Sequence, residues 1–166
     1  LELSGTAPGA EMALVSDSVD NATAKVRFFR LAFGAAEAGQ MIEQREILSI
    51  LDAISNGGRH RFHWKLTEGS PRIELRPALL AMLCLETALP LGGEIDIKKM
   101  GTEWLVSARH DRLTLDPALW QPLIAGEAPE AVSSATVHFA LLPAMAAEAG
   151  RGITVESGPG WAMIRF

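Results

Sequence analysis

The sequence predicts an α+β protein, in which a helix built for a bundle is followed by a two-layer sandwich of helices on a mostly antiparallel sheet. Two observations carry this. Apolar residues at Met12, Val15, Val19, Ala22, Val26, Phe29 and Phe33 are spaced 3, 4, 3, 4, 3, 4, an unbroken heptad seam. From Gln40 onward helical and alternating patterns mix within one unit, the mark of helices packed on a sheet.

The turn-rich stretch Gly5-Thr6-Ala7-Pro8-Gly9 precedes the heptad helix. Ser16, Asp17, Asp20, Lys25, Arg27 and Arg30 fill the positions between its seam residues, acidic first and basic last, as the helix macrodipole favours. The helix is expected to end near Gly34, at the small-residue linker Ala35–Gly39. A seam this narrow cannot bury itself, so Met12, Val15, Val19, Ala22, Val26 and Phe29 are the expected core of a bundle formed with another helix or a second copy of the chain.

The remainder divides as follows. Met41 to Ile54 suits a helix closed by Asn56-Gly57-Gly58. Phe62, Trp64 and Leu66 alternate with Arg61, His63 and Lys65, a half-buried strand. Arg76 to Leu89 is a strongly apolar helix stopped by Pro90-Leu91-Gly92-Gly93. Two strands, Glu94–Lys98 and Glu103–Arg109, flank a turn at Lys99–Thr102. Asp116-Pro117 is an N-cap with proline at the first helical position. Ser133 to Ala149 reads as a helix, and Ile153–Glu156 with Ala162–Phe166 as a closing hairpin. The expected domains are residues 1–36 and 40–166.

Composition narrows the function. The 166 residues are 48% hydrophobic and 21% charged, with net charge −5 and pI near 5.4. Nucleic acid and anionic membrane surfaces, which need clustered Lys and Arg, are not expected partners. No apolar run approaches the ~20 residues of a membrane span. The single cysteine, Cys84, lies in an apolar run and reads as a small core residue, which fits a cytoplasmic location.

The stretch Ala140-Leu141-Leu142-Pro143-Ala144-Met145 through Gly150 to Ile153-Thr154-Val155-Glu156-Ser157-Gly158-Pro159-Gly160 resembles the end of a histidine-kinase ATPase domain. The Arg76–Gly93 helix with its Pro-x-Gly-Gly exit resembles the kinase helix that carries two nucleotide-binding asparagines four residues apart. Here Met82 and Glu86 occupy those places, and a thioether is a poor ligand for a hard cation. The kinases' Asp-x-Gly-x-Gly turn is replaced by His110-Asp111-Arg112-Leu113-Thr114, and their glycine-rich lid by Ala131-Val132-Ser133-Ser134-Ala135. Without those glycines the backbone cannot cradle phosphates. No metal or cofactor is expected.

Together with the run Lys25-Val26-Arg27-Phe28-Phe29-Arg30-Leu31-Ala32-Phe33-Gly34-Ala35-Ala36, these features resemble the ChpT-type histidine phosphotransferases of alphaproteobacteria. The resemblance implies a homodimer whose protomers each give two helices to a four-helix bundle and carry a degenerate kinase ATPase-like domain. It implies transfer of a phosphoryl group between the receiver domains of a hybrid histidine kinase and of cell-cycle response regulators. It places the reactive histidine in a His-Asp motif on the first bundle helix. Leu1-Glu2-Leu3 looks like the last turn of that helix, so the phosphohistidine is expected upstream of Leu1, with no catalytic residue within the chain. His60, His63, His110 and His138 read as structural or solvated. Arg27, Phe28, Arg30 and Phe33 are the expected docking residues for an acidic receiver. The competing reading is a dimeric kinase-like scaffold or inhibitor that carries no phosphate. A His-Asp motif on the preceding helix separates the two.

Overall fold

The computed structural model describes residues 8–166. The expected helix tail at Leu1–Leu3 and the turn at Gly5–Ala7 lie outside the described residues. Among the described residues the order is α1 (Pro8–Phe33), β1 (Met41–Ile42), α2 (Gln44–Ser55), β2 (His60–Trp64), β3 (Ser70–Pro71), α3 (Arg72–Ala88), β4 (Gly93–Met100), β5 (Glu103–Arg109), α4 (Pro117–Ile124), α5 (His138–Glu148), β6 (Thr154–Gly158) and β7 (Trp161–Arg165).

The main sheet runs β2-β4-β5-β7-β6. Only β2 and β4 pair in parallel; the other neighbours are antiparallel. Its register sets Ile95 beside Ala108 and Ala108 beside Ala162, and likewise Ile97, Val106 and Ile164 in the next row. These side chains point inward, as a period of two requires, and are fully or almost fully buried. α3 lies over that face as the central helix. Leu75, Leu79, Leu80, Met82, Cys84 and Leu85 are all buried, and Cys84, buried among them, has its thiol pushed up in pKa by loss of solvent.

Three sequence expectations shift. Met41 and Ile42 form a short strand paired with Ser70 and Pro71 and are not the start of α2. α3 begins at Arg72, one turn before the expected Arg76, with Pro77 inside it. Tertiary partners hold that extra turn. Glu74 receives Lys99 at 2.9 Å, Trp104 Nε1 at 3.0 Å and Arg151 at 3.0 Å. Burial pulls the Glu74 carboxyl upward, but those hydrogen bonds and the two cations outweigh it and hold it below the usual carboxylate range. Residues 134–137 form a turn where helix was expected, because the Ser133 and Thr136 hydroxyls take backbone N–H groups of Ala135 and Ser133. The expected cap at Asp116 forms, its carboxylate accepting from the Ala118 N–H at 3.1 Å.

Candidate functional site

α1 divides into two faces. Met12, Val15, Ala22, Val26, Phe29 and Phe33 stay exposed, with Val19, at 57%, in the middle of the row. The opposite face seats on the body: Ala24, Phe28 and Ala32 are buried, and Phe28 and Ala32 join the main core. Phe28 therefore does not belong to an exposed docking patch. It lies about 100° round the helix from Phe29, on the face toward α2 and α3, and its burial contributes about 2 kcal/mol. Arg27, Arg30 and Phe33 remain exposed, and Phe33 stacks on Phe29 with ring centroids 5.8 Å apart.

Two polar ties fix α1. Asn21 donates to the Ala53 carbonyl at 2.9 Å, satisfying the end of α2. At the other end Arg72 donates to the Arg30 carbonyl at 2.8 Å and to Gln40 Oε1 at 3.1 Å. A guanidinium on the last carbonyls of α1 also complements the helix dipole. Gly34 makes this possible, since a Cβ there would sit 2.4 Å from the Arg30 carbonyl oxygen and 2.7 Å from the Arg72 guanidinium. Sequence reading missed Arg72. Its partner on α1 is 42 residues away and no local pattern marks it.

Arg27 and Arg30, with Leu31, Glu46 and Arg72, line a cavity of about 260 Å³ between α1 and α2. The other flank of α1 borders α3 and the turn before α5, where kinase-like folds seat nucleotide by the resemblance drawn above. Here Phe29, Phe33, Leu83, Glu86, Thr87 and Val137 are among the lining residues of a cavity of about 460 Å³, and none of the lining residues is Lys or Arg. Burial raises the Glu86 carboxyl above its usual range, against the pull of His60 and Lys25. Met82, the other residue at an asparagine position, is wholly buried. A triphosphate placed here would meet the Glu86 carboxyl, with Thr87, Ser134 and His138 as the other polar groups of the lining.

A family model of the histidine phosphotransferase C-terminal domain matches residues 44–160. The chain belongs to that family. This histidine phosphotransferase is 28% identical over 165 residues to protein phosphotransferase ChpT of Brucella abortus (strain 2308), a match spanning 92% of the chain and 76% of the relative. A solved bacterial phosphotransferase superposes with a TM-score of 0.73 at 24% identity, over 97% of this chain and 80% of that one. The histidine kinase domain of the blue-light activated kinase EL346 from Erythrobacter litoralis gives 0.53 at 15% identity, over 94% and 82%. These two likenesses establish the fold, which a bacterial phosphotransferase and a histidine kinase domain share.

Among the described residues all four histidines of this phosphotransferase lie off α1. His60 Nε2 bonds the Leu89 carbonyl at 2.9 Å, and His110 Nδ1 accepts the Arg112 N–H at 2.9 Å. His63 stands 3.5 Å from Glu94 on the outer sheet face. His138 is buried with Nε2 3.1 Å from the Thr87 hydroxyl, which itself donates to the Leu83 carbonyl. Nε2 is therefore the protonated nitrogen and donates to Thr87. Loss of solvent lowers the His138 pKa to about 4.

His138 gives a pH signature. Its folded pKa lies below the ordinary value of 6.5, so the unfolded chain binds the extra proton between the two. Its contribution is complete above pH 6.5 and is lost as pH falls toward 4, at about 1.4 kcal/mol per pH unit. Denaturant unfolding across that window should show a steeper acid loss in the wild type than in His138→Gln.

Proposed function

We propose that this histidine phosphotransferase relays a phosphoryl group between the receiver domain of a hybrid histidine kinase and the receiver domains of response regulators of the cell-cycle type. In this reading residues 1–36 belong to the dimerisation and phosphotransfer bundle, and residues 40–166 form a kinase-like body kept for support and docking. The α1 seam pairs with the helix preceding it and with a second copy. The phosphoaccepting histidine belongs to that preceding helix, upstream of Leu1. The observation that carries the reading is the pairing, in a member of this family, of an exposed heptad seam with a cavity beside α3 in which Glu86 stands at the position of a kinase asparagine.

The chemistry is two exchanges. A histidine ring nitrogen attacks the phosphorus of a receiver's acyl phosphate. The phosphorus–oxygen bond to aspartate breaks and the ring proton is lost. In the return step an aspartate carboxylate attacks, the phosphorus–nitrogen bond breaks and the imidazole is freed. The receiver brings its own Mg²⁺, so this chain's part is to present the imidazole and hold the receiver in line. Arg27 and Arg30, exposed beside the seam, steer an acidic partner.

Radiolabelled transfer tests this directly. With the preceding helix present, label should pass from a phosphorylated receiver to the protein and on to a second receiver. The 166-residue chain alone should accept none. Arg27→Glu and Arg30→Glu should slow transfer about tenfold at low salt and less at high salt. Acid-labile label on any of the four histidines of this chain would contradict the placement of the reactive residue, and failure to accept phosphate from any receiver would contradict the function.

Sedimentation tests the assembly. The wild type should sediment as a dimer and Phe29→Asp as a monomer, because a carboxylate unpaired in the seam costs several kcal/mol. A monomeric wild type at micromolar concentration would remove the bundle.

A further inference from the structure

The cavity between α1 and α2 holds three guanidinium groups, Arg27, Arg30 and Arg72, against one carboxylate, Glu46. Arg72 is the fixed member. Both of its Nη atoms are engaged, by the Arg30 carbonyl and by Gln40 Oε1, and both acceptors are neutral. Its charge is thus anchored in place, and among the described residues no ion pair cancels it. Arg27 and Glu46 meet at only 3.8 Å, with both side chains 44% exposed. A close charge-assisted bond is nearer 2.7–2.9 Å, and so loose and wet a pair is readily exchanged. Half-buried Leu31 lines the same space and offers apolar contact to a methylene stem.

We propose that this cavity is the acceptor for an aspartate or glutamate side chain of the docked receiver domain, with Glu46 as an internal stand-in that the incoming acid displaces from Arg27. The proposal rests on the receiver-docking reading of Arg27 and Arg30 and adds to it a fixed third arginine and a competitor. The guanidinium fork suits a carboxylate better than a point charge would. At about 260 Å³ the space fits one side chain. Its position on the flank of α1, beside the seam, puts it within reach of a protein seated against the bundle. Glu46 then sets specificity. A receiver without an acid at this point leaves the Arg27–Glu46 pair in place and gains nothing from the cavity.

The test is the affinity of the dimeric protein, preceding helix included, for an unphosphorylated receiver domain that exchanges phosphate with the wild type. It is measured at about 50 mM and about 300 mM salt, where screening lengths differ about twofold. Glu46→Gln should tighten binding about three- to tenfold at low salt, with a smaller gain at high salt. Asp52→Asn makes the same charge change on α2 outside the cavity and should alter affinity by less than about twofold. Arg30→Glu should weaken binding. Unchanged or weaker binding by Glu46→Gln, or equal tightening by Asp52→Asn, would overturn the acceptor cavity. If Arg30→Glu still weakens binding in that case, the docking reading stands without the cavity. If Arg30→Glu also has no effect, the docking reading falls with it.

Discussion

The Arg72 guanidinium ties the Arg30 carbonyl to the Gln40 side chain, and this tie decides how α1 stands on the body. α1 carries apolar residues on two faces, and only one of them can face the sheet domain. With Arg72 holding the last turn, Asn21 holding the end of α2, and Phe28 and Ala32 filling the gap, the heptad face is forced outward. Gly34 is required because any Cβ would occupy the space where Arg30 and Arg72 meet. The seam, the basic flank and the nucleotide-like groove all take their positions from this arrangement.

The body explains itself in similar terms. α3 is held at its start by the Glu74 cluster and along its length by apolar burial on nearly every side. A helix so enclosed can serve as a support, but it has few positions left for ligands. Met82 is spent on the core, and Glu86, a carboxylate, lines the cavities on either side of it. Closing contacts between α3 and α5, Thr87 with His138 and Arg76 with Glu148 at 3.2 Å, bring together elements between which a nucleotide would have to sit. The kinase plan persists as architecture, with Met82 and Glu86 at the positions that the resemblance assigns to the kinase asparagines.

Much of this was legible in the sequence because it is periodic or local. The 3-4 spacing from Met12 to Phe33 marked the outward face, and Asp116-Pro117 marked a helix start that forms with the expected cap. What escaped was long-range or set by competing local bonds. Phe28 looked like part of an exposed aromatic patch, and its burial depends on α2 and α3 being present. Arg72 and Glu46 meet α1 only through the fold, so no local pattern could place them beside Arg30 and Arg27. The turn at residues 134–137 replaced a helix because hydroxyl-to-backbone bonds won over helical propensity.

The central claim is that phosphate reaches this protein from a receiver domain and not from nucleotide. The most direct measurement is a calorimetric titration of the dimer with Mg-ATP, paired with incubation in γ-labelled ATP. The account predicts no heat of binding and no label on the protein. Binding tighter than about 100 μM, roughly −5.5 kcal/mol, or acid-labile label acquired from ATP alone would contradict it.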